Sequence, residues 1–171
     1  ALAIALADIS GAWALDTVTQ ALTHLADAAV KGAMRHLLVQ AAVRANLPPL
    51  DLEVRDGATL EAETGLIVLA MGKYGAFELN YSSDIDLVVF YDAARFPFAK
   101  KGDPRGAAVD IVRGMVKLIA ERVGGDYVFR VDLRLRPDAG ATQVAISTDA
   151  ALDYYEAMGQ NWERAAMIKA R

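Results

Sequence analysis

The chain lacks cysteine, an excess of positive charge and any apolar run long enough to cross a membrane. The absence of cysteine among 171 residues excludes a disulfide scaffold, a thiolate zinc site and a cysteine nucleophile. No apolar run reaches the roughly 18–20 residues that a membrane span needs. Lysine and arginine number 18 against 22 acidic residues, whereas nonspecific nucleic-acid binders are usually basic. The sequence therefore predicts neither nucleic acid nor a membrane as a partner.

Apolar residues, and alanine in particular, are the main compositional signal. Hydrophobic residues make up 54% of the chain, enough to bury a core, which excludes a disordered tail. The 33 alanines favour helix, since alanine has the highest intrinsic helix propensity. A length of 171 residues suits one domain of ordinary size, or one domain with a helical appendage. Composition thus predicts a soluble, cytoplasmic, helix-rich globular protein and indicates no function.

The first third of the sequence has the spacing of a helix. From Leu15 onward the apolar residues recur every three or four positions, which places them on one helical face. Pro48-Pro49 ends this pattern, and residues 51–64 are typical of a polar, acidic surface loop. The predicted apolar face consists of Val18, Leu22, Leu25, Ala29, Ala33 and Leu37.

Short apolar runs typical of strands follow this helical segment. The predicted strands are Leu66–Met71, Ile85–Tyr91 and Val128–Leu135. A turn at Gly72–Gly75 and a brief helix at Ala76–Leu79 connect the first two strands. The order of elements predicts an α+β fold of α/β type with a small mixed sheet.

Further helices separate and follow these strands. Asp103-Pro104 opens a helix, with proline in the first turn where it is tolerated, and Gly124-Gly125 ends it. A short extended piece at 144–146 precedes one or two helices that run from Thr148 to the end. The middle helix has a predicted apolar face of Ile111, Met115, Leu118 and Ile119.

Two carboxylates stand at the start of the second predicted strand. Side chains alternate along a strand, so Asp84 and Asp86 point to one face while Ile85 and Leu87 point into the core. At about 7 Å between Cα atoms, two carboxylates can converge on one divalent cation or bridge two. The alternative is a solvated strand edge whose charge blocks aggregation.

The third predicted strand carries an acid among arginines. Arg130, Asp132, Arg134 and Arg136 share one face, while the odd-numbered positions between them are apolar. A salt-bridged, solvent-facing strand explains this pattern equally well. If the strand lies beside the second one, Asp132 completes a three-carboxylate metal cluster, and its arginines are placed to neutralise phosphate oxygens.

A glycine-containing turn precedes the acids. Gly72 and Gly75 allow the backbone to approach a phosphate closely, although a plain tight turn has the same residues. The stretch is not a Walker A loop, because Ile67 stands where its first glycine belongs and Tyr74 where Ser or Thr is needed. The turn acquires meaning only together with the acids that follow it.

The three features in this order resemble the DNA polymerase β superfamily of nucleotidyltransferases. That superfamily has a glycine-containing turn, an Asp-hydrophobic-Asp strand and a distant third carboxylate. Displacement at a phosphorus atom uses cations that neutralise developing charge, and hard cations such as magnesium prefer carboxylate oxygens. The resemblance implies a polymerase β-like core with an N-terminal helical segment.

A closer resemblance covers about 100 residues, from Leu66 to Arg171. The stretch Gly72–Leu87 is similar to the signature of the glutamine synthetase adenylyltransferase/adenylyl-removing family, and so are Phe129–Pro137 and the run from Tyr154 to Arg171. One departure follows Pro137, where the family often has a glycine-rich turn leading to Gly-Pro-Leu and this chain has Asp138–Gln143. The resemblance implies a fragment of a longer enzyme, divided into a helical segment at 1–50 and a nucleotidyltransferase core at 51–171.

That family contains a domain that removes AMP from a tyrosine of glutamine synthetase by phosphorolysis and a domain that attaches it from ATP. The motifs of this chain resemble those of the removing domain more than those of the attaching domain, at Glu78–Asn80, Ile85 and Trp162–Arg164. The resemblance therefore implies Mg²⁺-dependent removal of AMP that consumes phosphate and yields ADP, with one or two ions and Mn²⁺ as a substitute. The alternatives are the ATP-dependent attaching domain and a silent nucleotide-binding regulatory module. The implied partners are glutamine synthetase and, through the complete enzyme, the PII signalling protein.

The resemblance also assigns roles to individual residues. Asp84, Asp86 and Asp132 are expected to be catalytic metal ligands. The residues expected to contact phosphate are Gly72, Lys73, Gly75, Ser83, Arg130 and Arg134. For both Ser82 and Ser83, a role in the turn is as well supported by the sequence as a phosphate contact. Packing or helix-surface positions are expected at Trp162, Glu163, Arg164 and Lys169. Apart from the resemblance, His24 and His36 stand twelve positions apart, which matches no metal-ligand spacing, so they are expected at the surface or at an interface.

Overall fold

A computed structural model describes residues 1–47, 63–98 and 102–171. Within these ranges the helices are α1 (Leu2–Ile9), α2 (Leu15–Arg44), α3 (Gly72–Gly75), α4 (Pro104–Ala120), α5 (Thr148–Ala157) and α6 (Asn161–Met167). The strands are β1 (Leu66–Ala70), β2 (Ile85–Tyr91), β3 (Val131–Asp132) and β4 (Ile146–Ser147). The predicted loop at 51–64 lies almost entirely outside the described residues, as do Pro48 and Pro49.

The sheet is mixed, with β2 as its central strand. β1 pairs antiparallel with β2, from Leu66 opposite Tyr91 to Ala70 opposite Leu87. β3 and β4 both pair parallel to β2, β3 at its beginning and β4 at its end. This arrangement of helices around a small mixed sheet confirms the α+β class.

Both faces of β2 are buried, as its continuous apolar run predicts. Leu87 and Val89 belong to a large core cluster shared with α2 and α4. Val88 and Phe90 point to the opposite face and join a smaller cluster that includes Ala151 of α5. The sheet thus separates the long helices from the C-terminal ones.

The helix α2 buries a stripe one position along from the predicted one. Leu25, Ala29, Ala33 and Leu37 are only partly buried and flank the centre of the stripe. Val18 and Leu22 are buried as predicted. The buried residues then recur every four positions, which keeps them on one face because four residues nearly complete a helical turn. The buried centre continues through Ala26, Val30, Met34, Leu38 and Ala42.

Two long helices pack closely where α4 has a glycine. A β-carbon at Gly114 would lie 2.8 Å from a methyl carbon of Leu37 on α2. The α4 N-terminus follows prediction, since the Asp103 side chain accepts a hydrogen bond from the Arg105 amide at 2.9 Å. Two predictions for α4 are wrong. The helix ends at Ala120, before the glycine pair, and Leu118 is 47% exposed because it lies at the margin of the apolar face.

The third strand is much shorter than the predicted Val128–Leu135. The amides of Val128 and Phe129 donate to the carbonyl of Ile119, at 3.1 and 3.2 Å, so this segment binds the end of α4 instead of a neighbouring strand. Beyond the strand, the Arg134 amide turns back to the Asp132 carboxylate at 2.8 Å. Local side-chain bonding of this kind competes with ladder formation, so only Val131 and Asp132 pair with β2.

The connection between β1 and β2 also differs from prediction. The glycine segment forms the short helix α3, whereas the predicted helix at Ala76–Leu79 is absent from this described stretch. Phe77 has a φ of +61°, in the left-handed region that a non-glycine residue adopts only at a cost of about 1–2 kcal/mol. The chain therefore turns sharply at Phe77 on its way to β2.

The C-terminal region agrees with prediction more closely. The predicted extended piece becomes β4, and two helices follow from Thr148. Ser147 begins α5 by accepting a hydrogen bond from the Ala150 amide at 3.3 Å. Across the residues that the structure describes, no helix has both the length and the apolar character to cross a bilayer.

Candidate functional site

An open cleft of about 730 Å³ lies where β2 and β3 begin, beside α3. Most of the residues that the sequence singled out meet here, although they come from separate parts of the chain. The cleft is lined by Gly72, Lys73, Asn80, Ser82, Ser83, Asp84, Asp86, Arg130, Asp132, Arg134 and Lys169.

The register of the central strands brings the acids together. Asp86 on β2 is the direct partner of Asp132 on β3. Asp84 lies two residues before Asp86 and lines the same cleft, whereas Ile85 and Leu87 are fully buried. The predicted alternation along β2 and the predicted proximity of the third acid are thus both present in the structure.

The acidic side chains differ in their electrostatic surroundings. Partial burial raises the pKa of Asp86, and the negative charges of Asp132 and Asp84 raise it further. Hydrogen bonds from Arg134 instead lower the pKa of Asp132 in spite of its partial burial. Negative charge is therefore least compensated at Asp86, in the middle of the group.

Each outer acid is bound by an arginine. Arg130 donates from Nε to Asp84, and its Nη2 donates to the carbonyl of Ser82 at 2.5 Å. Arg134 contacts the Asp132 carboxylate with a fork of donors, from Nε at 2.9 Å and from Nη2 at 2.5 Å to the same oxygen. Both arginine side chains are largely exposed, so these ion pairs lie at the open side of the cleft.

Arg136 has a different role from the two arginines before it. Its guanidinium donates to the carbonyls of Leu133, Ala139 and Thr142, at 2.7, 2.8 and 3.2 Å. These bonds organise the loop after Pro137, where the sequence departs from the family pattern. Arg136 therefore supports the fold beside the cleft and does not line it.

Gly72 is required by the position of Asp86. It has a φ of +54°, and a β-carbon there would lie 2.6 Å from Oδ2 of Asp86. The neighbouring Met71 amide donates to the Asp86 carbonyl at 2.9 Å, which holds the two segments together. A side chain at position 72 would displace the carboxylate at the centre of the cleft.

Gly75 does not line the cleft, unlike the other predicted phosphate-contacting residues. It is buried, and a β-carbon there would overlap the carbonyl oxygen of Lys169 and lie 2.5 Å from that of Ala70. Its position corresponds to close packing of backbone segments, and the phosphate contact expected for it stays a prediction.

Two serines and an asparagine form the turn that leads into β2. The Ser83 hydroxyl donates to Oδ1 of Asn80 at 2.7 Å, and the Ser82 amide donates to the same oxygen at 3.2 Å. Ser82 and Ser83 thus have both a turn contact and a place on the cleft, the two roles that their sequence context left open. Asn80 was not among the predicted site residues, although an asparagine shortly before two serines is a local signal of such a turn.

Lys169 is the second cleft residue that sequence analysis missed. It was expected on a helix surface, but it follows α6 and its Nζ lies 2.9 Å from Oε2 of Glu78. The two residues are 91 positions apart, and no local pattern relates them. Only the folded chain brings this lysine to the cleft.

The other C-terminal motif residues occupy packing or helix-surface positions, as predicted. Glu163 is 2% exposed and accepts hydrogen bonds from the Tyr154 hydroxyl at 3.0 Å and from the Gln160 amide at 2.7 Å. Arg164 donates to the carbonyl of Tyr155 at 3.2 Å, and Trp162 is exposed. This network ties α6 to α5.

Neither histidine of α2 lines the cleft. His24 is exposed and lies 3.8 Å from Asp27 and edge-on to Phe77, with 5.7 Å between ring centroids. His36 contacts Gln40 at 2.9 Å on the exposed side of the helix. Their surface positions agree with the prediction.

The acids fit a hard divalent cation by donor type. Among the residues that the structure describes, no three acidic or histidine side chains are arranged as a complete metal site. The raised pKa of Asp86 nevertheless marks negative charge that its neighbours leave uncompensated. Asp86 and Asp132 on adjacent strands, with Asp84 just before β2, offer the oxygen ligands that Mg²⁺ prefers, and the adjoining cations suit phosphate.

The whole chain is similar to known proteins. The family model described as glutamate-ammonia ligase adenylyltransferase matches residues 1–171. A bifunctional glutamine synthetase adenylyltransferase/adenylyl-removing enzyme from a Bradyrhizobium species is 55% identical over 100% of the chain. Proteins of the same description from Xanthobacter autotrophicus and Caulobacter vibrioides are 54% and 49% identical, over 100% and 99% of the chain. The chain spans 17% of the length of each of these curated relatives.

Proposed function

The chain belongs to the glutamate-ammonia ligase adenylyltransferase family, and from this we propose that it is a Mg²⁺-dependent nucleotidyltransferase domain. Its proposed reaction is the removal of AMP from an adenylylated tyrosine of glutamine synthetase. An oxygen of inorganic phosphate attacks the phosphorus of the adenylyl group, and the bond from phosphorus to the tyrosine oxygen breaks. The products are ADP and tyrosine, whose oxygen takes up a proton.

The single observation that carries this proposal is the grouping of Asp84, Asp86 and Asp132 on one face of the sheet. These residues would hold the magnesium ion, which supplies neutralisation of the charge that develops on the phosphoryl oxygens. The pKa of Asp86 is raised by burial and then by repulsion from Asp132 and Asp84, and a bound cation would offset both effects, which supports the assignment.

The cations around the acids account for substrate binding. Arg130 and Arg134 are held at the mouth of the cleft by ion pairs whose arginine side chains are exposed, so solvent weakens both pairs. Their guanidiniums can therefore exchange a carboxylate for a phosphate oxygen at small cost. Lys73, which also lines the cleft, adds a third positive charge.

The direction of the reaction is proposed from the residues that occupy the motifs. Glu78–Asn80, Ile85 and Trp162–Arg164 resemble the AMP-removing domain more than the AMP-attaching one. The names of the relatives include both activities, so they are compatible with either direction. In the complete enzyme we expect the domain to act in the cytoplasm, under control of the PII signalling protein.

A phosphorolysis assay tests the proposal. The purified chain is mixed with adenylylated glutamine synthetase, Mg²⁺ and phosphate, and ADP formation is measured. Replacing a metal ligand in Asp84→Asn, Asp86→Asn or Asp132→Asn should lower the rate at least about 100-fold, since each removes several kcal/mol of charge stabilisation. Asp153→Asn, an exposed change on α5, serves as the control and should leave the rate unchanged.

Three outcomes separate the alternatives. AMP transfer from ATP to unmodified glutamine synthetase, without phosphate-dependent ADP formation, would reverse the proposed direction. Magnesium-dependent ADP binding in calorimetry with no turnover in either direction would indicate a silent binding module. Full activity in all three aspartate variants would overturn the assignment of the metal ligands.

A further inference from the structure

The last residues of the chain cross the edge of β1 next to the cleft. Arg171 and Ala70 exchange backbone hydrogen bonds, from the Ala70 amide at 2.9 Å and from the Arg171 amide at 3.0 Å. This pairing joins the backbone of Arg171 to the edge of β1 opposite β2. It also places Lys169, two residues earlier, beside α3.

The helix α3 accommodates this segment through Gly75. A β-carbon at position 75 would overlap the Lys169 carbonyl oxygen, so the two backbones meet with no side chain between them. The close approach brings Lys169 near enough for its ammonium to reach the cleft that Gly72 and Lys73 also line.

The side chain of Arg171 anchors the same segment to α2. Its Nη1 and Nη2 donate to the two carboxylate oxygens of Asp27, at 3.1 and 2.9 Å. The guanidinium also lies 4.2 Å from the ring centroid of Phe77, at the residue where the backbone is strained. Tyr74 donates its hydroxyl to Asp27 at 2.8 Å and completes the anchor.

The ammonium of Lys169 differs from the arginines in the partner that it binds. Arg130 and Arg134 bind Asp84 and Asp132, which belong to the acid group. Lys169 binds Glu78, an acid that does not line the cleft. Both side chains of this pair are more than half exposed, so the pair contributes little and Lys169 can leave it.

The two sets of cations also approach from opposite edges of β2. The arginines come from β3 and the loop around it, whereas Lys169 comes from the side of β1. A substrate held at the acids therefore has a positive charge available on each side. Phosphorolysis brings together two phosphate groups, one attacking and one attacked, and both need neutralisation.

We propose that Lys169 is a further substrate-binding residue, whose ammonium binds a phosphate group of the substrate, and that Arg171 is its positioning residue. The ligand class is a phosphate anion, either inorganic phosphate or the phosphate of the adenylyl group. This inference rests on the proposed function for its substrate, while its geometry comes from Lys169, Glu78 and the Arg171 anchor.

Calorimetric titration of the chain with inorganic phosphate, AMP and ADP, each in the presence of Mg²⁺, tests Lys169 directly. Lys169→Gln should raise the Kd of its ligand about tenfold or more, because a charge-assisted hydrogen bond is lost. Weaker binding of phosphate and ADP alone assigns Lys169 to the attacking phosphate, and equal weakening for AMP assigns it to the adenylyl phosphate. Unchanged Kd values for all three ligands would overturn the proposal.

Two further variants show whether Lys169 itself binds phosphate or whether losing any positive charge weakens phosphate binding. Lys117→Gln removes an exposed lysine of α4 that does not line the cleft, and it should leave each Kd within about twofold. Glu78→Gln frees Lys169 from its carboxylate and should tighten phosphate binding about two- to threefold. Weakening by Glu78→Gln as large as that by Lys169→Gln would contradict the proposed exchange of partners.

A double-mutant cycle tests the positioning role of Arg171. Arg171→Gln should weaken phosphate binding several-fold, and Arg171→Lys, which retains a charge for Asp27, should restore part of it. In the double variant with Lys169→Gln the two losses should not add, because Arg171 acts through Lys169. Full additivity would show that Arg171 does not position this lysine.

Phosphate binding by Lys169 can be tested separately from the proposed reaction. If no variant, including the parent chain, releases ADP from adenylylated glutamine synthetase, the proposed reaction fails. A Kd for phosphate that still depends on Lys169 would then support the binding site alone. Thermal unfolding of each variant checks folding, and Lys169→Gln should retain the parent's Tm because its ion pair is exposed.

Discussion

Asp86 and Asp132 are direct partners on adjacent parallel strands, 46 positions apart in the sequence. Neighbouring strands lie about 4.8 Å apart, so two carboxylates in this register repel each other unless a cation lies between them. β3 consists of Val131 and Asp132 alone, because only these two residues pair with β2. The strand is short, but it delivers the third acid to the site.

Because Asp86 and Asp132 repel each other, replacing Asp86 should preserve or raise the thermal stability of the metal-free chain and abolish its stabilisation by Mg²⁺. Asp86→Asn removes the central charge, so the variant should unfold at the same or a higher temperature than the parent chain when metal is absent. Mg²⁺ should raise the Tm of the parent and leave that of the variant unchanged. Thermal unfolding with and without Mg²⁺ measures both effects. A metal-dependent rise of equal size in both proteins would contradict a role for Asp86 as a ligand.

Gly72→Ala should destabilise the fold and impair the site together. The residue has a φ of +54°, and the new β-carbon would lie 2.6 Å from the Asp86 carboxylate. We expect a loss of about 1–2 kcal/mol in the free energy of unfolding, measured in urea, and weaker Mg²⁺-dependent ADP binding.

Gly32→Ala is the matched control for that change. Gly32 lies within α2, and nothing lies within 4 Å of a β-carbon built there. Alanine has the higher helix propensity, so this variant should gain about 0.5–1 kcal/mol. A similar effect of both glycine substitutions would show that the clash with Asp86 does not matter.

The anchor at Asp27 should make stability depend on pH. Burial acts to raise the pKa of Asp27, but hydrogen bonds from Arg171 and Tyr74 outweigh it and lower the pKa. The ionised form therefore stabilises the fold at pH values above the unfolded pKa of about 3.9, and this contribution is lost as the pH falls through the lower folded pKa.

Comparison of the parent chain with Asp27→Asn in urea unfolding measures this effect. At pH 7 the variant should be about 1–3 kcal/mol less stable, and the difference should shrink as the pH is lowered below about 4. Asp153→Asn, which changes an exposed aspartate on α5, should be neutral throughout. A difference between parent and Asp27→Asn that does not vary with pH would exclude the ionised carboxylate as its source.

Glu163 should matter for folding and not for chemistry. It is almost fully buried and accepts hydrogen bonds from Tyr154 and Gln160. Glu163→Ala leaves these donors without a partner and should cost about 2–3 kcal/mol, measured by urea unfolding. The exposed Glu156→Ala is the control. If the folded fraction of Glu163→Ala fails to bind ADP, the residue has a role beyond packing.

Much of the site could be predicted because it depends on short-range geometry. Alternation along β2 places Asp84 and Asp86 on one face whatever surrounds the strand, and the buried run Ile85–Tyr91 has the bounds that its pattern predicts. The cap at Asp103 is likewise local. The errors arise where local patterns compete with distant contacts, as at Val128, whose amide binds the end of α4.

Local rules are enough to predict the acids, their common face and the glycine at position 72, since each follows from the period of a strand or the freedom of a backbone. The packing of distant elements sets the register of Asp132 with Asp86, the close backbone contact at Gly75 and the place of Lys169 in the cleft. The physical reason is separation along the chain. Contacts between distant residues depend on how helices and strands pack, and no local periodicity records that packing.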